Sequence, residues 1–279
     1  MRIINTIDEM RQALAERDPG QKLGFVPTMG YLHKGHLSLV ESCTVKCGLS
    51  VVSIYVNPSQ FGPQEDLGSY PRDLERDLDL LAQQQVDYVF FPDDAQMYPE
   101  GYLTWVEVAK ISDVLCGASR PGHFRGVATI VLKLVNIIRP DLMFMGLKDF
   151  QQIVVLETML RDLNLSTQIE RCPIVREVDG LALSSRNIYL NRDERHSATC
   201  LVQALRNARR MASTGIKESA AIIKAAEEIV NSAGGRIDYV RIVDSATLSE
   251  QQEVNENSRM LLAVFIGKTR LIDNSALIT

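Results

Sequence analysis

Over its first 170 residues the chain alternates short β-branched apolar runs with stretches of helical periodicity. That alternation restricts the fold more than any other feature, because strands linked by helices assemble into a parallel sheet covered on both faces. Strands are expected at 23–27, 49–56, 86–91, 142–145 and 166–170. Between them, helical spacing begins at Leu37, recurs at Leu74, Leu78 and Leu81, and is strongest at Val127, Ile130, Val131, Leu134, Val135 and Ile138. A further helix is expected over 148–162. After Pro173 the alternation stops. Asn191 and Glu194 have the spacing of a capping box and open a helix to about residue 210; a second helix covers 217–231. Strand-like runs follow at 237–243, 260–266 and 269–272. The expected architecture is α/β: a Rossmann-like parallel-sheet domain at 1–174 and a smaller α+β domain at 175–279.

Composition removes several classes of function. The 30 basic and 35 acidic side chains leave a net charge of −5, which excludes a nucleic-acid coat but not a local basic pocket. Five cysteines, an odd number without a CxxC pair, point to a reducing compartment, and hence to the cytoplasm, rather than to a disulfide framework. Cys43 and Cys47, one turn apart, read as buried helix cysteines. Residues 1–17 read as neither a signal nor a transit peptide. The apolar run 126–140 is interrupted by Lys133 and Asn136, so no membrane partner is expected. No GxGxxG occurs, and Gly267-Lys268-Thr269 lacks the earlier P-loop glycine, Leu262 standing in its place.

Ligands on open parallel sheets bind beyond the carboxyl ends of the strands. The loop after the 23–27 strand reads Pro27-Thr28-Met29-Gly30-Tyr31-Leu32-His33-Lys34-Gly35-His36. Two of the chain's four histidines, His33 and His36, therefore sit at the start of a helix, where free N–H groups and the positive dipole end attract phosphate. Imidazoles there can donate to phosphate oxygens and take up a proton as negative charge accumulates. The alternative is a pair of capping or packing histidines.

His-x-Gly-His after the first such strand is similar to the nucleotide-binding signature of the nucleotidyltransferase and class I aminoacyl-tRNA synthetase superfamily. Around it, Pro-Thr-Met-Gly-x-Leu-His-x-Gly-His at 27–36, Tyr-Val-Asn-Pro-Ser-Gln-Phe at 55–61 and Tyr-Pro-Arg at 70–72 resemble the pantothenate synthetase (pantoate–β-alanine ligase) family. So do Gly-Ala-Ser-Arg-Pro-Gly-His-Phe-Arg-Gly at 117–126, Gly-Leu-Lys-Asp-Phe-Gln-Gln at 146–152, Asp-Gly-Leu-Ala-Leu-Ser-Ser-Arg-Asn at 179–187 and Arg-Leu-Ile-Asp-Asn at 270–274. The resemblance runs end to end. It implies an ATP-dependent ligase that condenses pantoate with β-alanine through a pantoyl-adenylate, releasing AMP and pyrophosphate. It also implies that Met29, Gly30, Tyr31, Leu32, His33, Lys34, Gly35 and His36 cradle ATP, with His36 as proton donor. Gly146, Leu147, Lys148, Asp149, Val175, Leu183, Ser184, Ser185 and Arg186 would complete the ATP site. Gln60 would contact pantoate and β-alanine, and Gln152 pantoate. A homodimer is implied as well.

These residue types suit that chemistry. A carboxylate must attack an already anionic phosphate, so catalysis requires fixed positive charge and oriented donors. Lys148 and Arg186 supply charge, Ser184 and Ser185 supply donors, and the histidines act on the departing pyrophosphate. Amides can read both hydroxyls and a carboxylate. Mg²⁺ is expected on the phosphates, with at most one carboxylate from the protein; Asp77 is the candidate ligand, its alternative a solvated acid beside Arg76 and Asp73. Asp149 either orients Lys148 or contacts ribose. Arg120, His123 and Arg125 either line a pocket or subunit contact or lie on the surface. Trp105 reads as packing on an edge strand and His196 as solvated. The second domain is expected to act as a lid. Two other functions keep the phosphate site: AMP transfer onto a phosphorylated acceptor, which calls for more cations than Gln60 and Gln152 provide, and non-catalytic nucleotide binding, which would leave the histidines, Lys148 or Ser-Ser-Arg eroded.

Overall fold

The structure, a computed structural model, describes residues 1–63 and 65–278. Strands β1 (Arg2–Ile4), β2 (Leu23–Thr28), β3 (Leu49–Ile54), β4 (Tyr88–Phe90), β5 (Leu142–Gly146) and β6 (Gln168–Cys172) form one sheet. Its order is β1-β4-β3-β2-β5-β6, with every pairing parallel. The sequence alternation has its cause in the pleat, since consecutive side chains leave opposite faces. Phe25, Val51 and Met143 face one apolar cluster, while Val26, Val52 and Phe144 face the other. The first cluster is closed by helix His123–Ile138 and the second by helix Lys34–Lys46. Burying a side chain such as Phe144 stabilises the fold by about 1.5–3 kcal/mol.

Strands β7 (Arg236–Asp244), β8 (Ser258–Ile266) and β9 (Thr269–Ala276) form a separate antiparallel sheet. One face packs on helices Cys200–Ser213 and Ser219–Ser232. The other carries Tyr239, Val243, Leu261 and Ala263 onto Phe150, Val154 and Val155 of helix Phe150–Asp162. The smaller sheet is thus buried on both faces.

Three expectations change. Strand β1 was not legible, since a three-residue edge strand with two exposed side chains has no apolar run. The helix expected over 191–210 is two, Arg192–Ser197 and Cys200–Ser213. Its capping box holds: Asn191 Oδ1 accepts the Glu194 N–H at 2.9 Å, and Glu194 Oε2 accepts the Asn191 N–H at 3.0 Å. Trp105 lies on no strand; it is 43% exposed, packs beside Tyr98 and Tyr102, and Arg125 sits 5.3 Å over its ring. All five cysteines are free and buried, and His196 is exposed. Among the described residues no helix is long and apolar enough to cross a membrane.

Candidate active site

The chain leaves β2 through β3 to one side of the sheet and later returns to β5 on the other, so the topological switch point lies between β2 and β5. There the loops after the two strands diverge and open a crevice. A cleft opens at this point, about 1290 Å³ with its open mouth included. It is lined by Met29, His33, Gly35, His36, Gln60, Gly146, Lys148, Asp149, Gln152, Val175, Leu183, Ser184, Ser185 and Arg186. Residues that the sequence scatters from Met29 to Arg186 therefore share one cavity.

The loop after β2 must reverse sharply. Gly30 has φ +79° and Tyr31 φ +49°, the left-handed region that glycine tolerates and most side chains do not. Asp77 holds this strained turn. Its carboxylate accepts the Tyr31 N–H at 2.6 Å and the Leu32 N–H at 2.7 Å, while Arg76 Nη2 donates to the Leu32 carbonyl at 2.8 Å. Asp77 is only 1% exposed and does not line the cleft. The residue expected as metal ligand thus clamps this turn in the structure, each carboxylate oxygen accepting one backbone N–H. Burial still pushes its carboxyl above the usual range, opposed by those two N–H groups. The Tyr31 and Leu32 N–H groups are taken by Asp77, Leu32 is fully buried in the core, and Tyr31 lies under Arg76. Gly30, Lys34 and Leu147 also lie outside the cleft lining, Lys34 being exposed and Leu147 packed on the core.

The two histidines cap the helix start and line the cleft at once. His33 caps helix Lys34–Lys46, its Nδ1 accepting the Gly35 N–H at 3.1 Å, and His36 Nδ1 accepts the His33 N–H at 3.4 Å. The rings stack with centroids 4.1 Å apart. Because backbone N–H groups occupy both Nδ1 atoms, each neutral ring carries its proton on Nε2 and can donate it to a ligand. Burial and then Lys148 lower the His33 pKa to about 4. Burial, then the neighbouring His33 and Lys148, lower that of His36 to about 3. Both imidazoles are uncharged at neutral pH.

From β5 comes the turn Leu147–Asp149, with Lys148 Nζ 3.4 Å from Asp149 Oδ1. Asp149 thus pairs with Lys148, and among the described residues it is the only carboxylate lining the cleft. Ser184 Oγ accepts the Arg186 N–H at 3.3 Å, and the Arg186 guanidinium forks onto Asp66 at 2.8 and 3.0 Å.

Gln60 is fixed from several sides. Its Oε1 accepts from Asn57 Nδ2 at 3.1 Å and its Nε2 lies 3.0 Å from Met29 Sδ. Its carbonyl accepts from His123 Nδ1 at 2.8 Å. That leaves His123 Nε2 to accept from Arg120 Nη1 at 3.0 Å, and Arg120 also forks onto Glu65 with both bonds at 2.6 Å. Burial and Arg120 lower the His123 pKa to about 4, keeping this relay neutral. Arg120 and His123 are therefore scaffold rather than surface. Helix His123–Ile138 approaches so closely that a methyl group at Gly126 would strike the Ser59 carbonyl. Its Val127, Ile130, Val131 and Leu134 give the cleft an apolar wall, which the helical periodicity had marked only as core. Asn57, 1% exposed and bonded to the Gly126 carbonyl, was likewise not singled out. Its only signal lay inside the Tyr-Val-Asn-Pro-Ser-Gln-Phe segment.

The chain matches the family model described as Pantoate-beta-alanine ligase over residues 2–276. It is 50% identical to the pantothenate synthetase of Thermosipho melanesiensis over 275 residues, 98% of each chain. Against that of Syntrophotalea carbinolica it is 50% identical over 277 residues, 99% of this chain and 98% of the other. Among solved structures, the pantothenate synthetase of Thermus thermophilus superposes with a TM-score of 0.95 at 43% identity, all of both chains covered. The pantoate-beta-alanine ligase of Francisella tularensis, described as complexed with beta-gamma ATP and beta-alanine, gives 0.85 at 35% identity over 99% of this chain and 98% of that one. A match of this length, on a cleft that gathers the resembling segments at the switch point of the sheet, means that the chain belongs to the pantoate–β-alanine ligase family.

Proposed function

We propose that the cleft performs an ATP-dependent condensation in two steps. Pantoate's carboxylate attacks the α-phosphorus of ATP, giving pantoyl-adenylate and pyrophosphate. The β-alanine amine then attacks the activated carbonyl, a proton is lost, and pantothenate and AMP leave. The observation that carries this reading is the meeting of Lys148, Arg186 and the two Nε2–H donors with Gln60, Gln152 and an apolar wall in one cavity. The cationic and donor groups suit a triphosphate; the amides and the wall suit a small branched hydroxy acid. A phosphorylated acceptor would meet Val127, Ile130 and Val131 where it needed cations, so AMP transfer fits this cleft poorly.

In this reading Ser184, Ser185, Lys148 and Arg186 hold the phosphates, and His33 and His36 donate to the departing pyrophosphate. No protein nucleophile is required, because the adenylate is itself the activated species. Among the described residues no group of three or more His, Cys, Asp and Glu could hold a metal. One carboxylate in the cleft nevertheless fits Mg²⁺, which keeps most of its ligands as phosphate and water. Asp149 would then contribute the protein ligand, and the ion would neutralise phosphate charge.

Labelled pyrophosphate should exchange into ATP only when pantoate is present, and AMP should appear on adding β-alanine. Exchange that proceeds equally without pantoate, or none at all, would sink this reading.

The enzyme works as a cytoplasmic homodimer, a reading supported by five free buried cysteines and by Trp105, an exposed indole packed on the half-buried Tyr98 and Tyr102. Residues 175–279 act as a lid that excludes water from the adenylate. The apolar contact of β7 and β8 with helix Phe150–Asp162 keeps that motion small. Solution scattering should report the mass of two chains, and a smaller radius of gyration once ATP and pantoate are added. A single-chain mass removes the dimer; an unchanged radius removes the lid.

A further inference from the structure

Asp273 and Asn274 are consecutive on β9, polar, and almost inaccessible at 2% and 3% exposure. Successive side chains on a strand leave opposite faces, and each of these reaches a partner outside the sheet. Arg176 grips the Asp273 carboxylate at 2.6 and 2.9 Å and also donates to the Gly180 carbonyl at 3.0 Å. That fixes the turn leading into Ser184–Arg186. Asn274 reaches in the other direction. Its Nδ2 donates to the carbonyls of Leu147 at 2.9 Å and Lys148 at 3.0 Å, and its Oδ1 accepts from Arg259 Nη1 at 2.5 Å. Arg259 in turn lies 4.2 Å over the ring of Phe150, the residue that begins the helix after this turn. Both protons of the amide are therefore spent on the three-residue turn that carries Lys148.

An ammonium on a flexible four-carbon stem is only as well placed as its backbone. We infer that Asn274 is a positioning residue for adenylate formation: it fixes the Leu147–Lys148 backbone so that the Lys148 charge projects to the phosphates. The placement of that charge then depends on the second sheet. Through Asp273 and Arg176 the same strand sets the Ser184–Arg186 arm, so β9 gauges the distance between the two cationic arms of the cleft. This inference rests on the phosphate-binding role given to Lys148 above.

The test is a double-mutant cycle read by pantoate-dependent pyrophosphate exchange. Asn274→Ala is expected to lower exchange by up to about 10²-fold in the wild-type background, as a misplacement on the order of 1 Å can. In the Lys148→Ala background the same change should cost less than about twofold, because the charge it positions is gone. A general loss of folded protein would cost both backgrounds alike. Asn274→Asp guards against an alanine variant that does not fold. It keeps the shape and the Arg259 contact but has no donor for either carbonyl, and the same pattern is expected. Equal losses in the two backgrounds, or wild-type exchange by both Asn274 variants, overturn the inference and leave Lys148's role standing. Near-normal exchange by Lys148→Ala alone removes the role of Lys148, and this inference with it.

Discussion

Replacing Lys148 or His36 by Ala should lower turnover about 10²–10³-fold and leave the fold intact, as removal of one preorganised donor does elsewhere; that is about 2.7–4 kcal/mol of transition-state stabilisation. Both groups line the cleft, and neither is part of the apolar clusters that stabilise the sheet. The two losses should differ in character. Lys148 carries charge before ATP arrives, so its loss weakens phosphate binding and catalysis together. His36 is held neutral, its pKa lowered to about 3 by burial, by His33 and by Lys148, and its Nδ1 is committed to the His33 N–H. It contributes a donor whose basicity rises as pyrophosphate charge develops, so its loss should fall mainly on kcat. NMR titration checks the premise: in the free enzyme His33 and His36 should remain neutral at about pH 6, and a bound ATP analogue should raise both pKa values. Folded-state values below the unfolded one mean that the stability from these neutral rings is present above about pH 6.5. It is lost as pH falls towards about 4, where the unfolded chain binds protons that the folded one refuses. Imidazolium signals at about pH 6 in the free enzyme, or near-normal turnover in either variant, would remove that residue from the mechanism.

What could be read in the chain and what could not divides along sequence distance. Strands β2, β3 and β5 are buried on both faces, and their continuous apolar runs announce it. The loop from Met29 to His36 was legible because its chemistry is local: a turn, a helix start and two imidazoles three residues apart. Groups whose meaning lies in a distant partner left no such mark. Asp77 reads as one more acid on an amphipathic helix until the backbone of residues 31 and 32, more than forty positions earlier, comes to lie over it. Arg120 pairs with Glu65, Arg186 with Asp66, and Asn274 with the carbonyls of Leu147 and Lys148, each contact joining segments that the sequence keeps apart. The motif residues could therefore be named from the sequence, whereas the residues that hold them in place could not. Asn57, Arg120 and Asn274 did lie in quoted segments, but only the fold gives each its partner, as it gives the Asn274 amide two carbonyls to hold.

Asp77 is where expectation and structure part most sharply, and Asp77→Ala should separate them. As a clamp, its removal orphans two buried backbone donors at a turn whose Gly30 and Tyr31 stand in left-handed conformations. Each orphaned donor costs about 1–3 kcal/mol, so a destabilisation of about 2–6 kcal/mol is expected, enough to lower the melting temperature by several degrees. Asp77→Asn keeps one acceptor oxygen but turns an amide NH₂ towards the second N–H, so it should melt between the alanine variant and the wild type. Activity should fall as well, because the turn delivers His33 to the start of its helix, and a displaced cap moves both stacked rings together. The discriminating condition is the absence of metal. A clamp destabilises the variant equally with and without Mg²⁺, since nothing it holds is a metal. A metal ligand would leave the metal-free variant melting like the wild type, and the difference would appear only when Mg²⁺ and ATP are added. Thermal melts of the three proteins in chelator, then with Mg²⁺ and ATP, decide between the two roles, and a variant that melts like the wild type in chelator would return Asp77 to the metal.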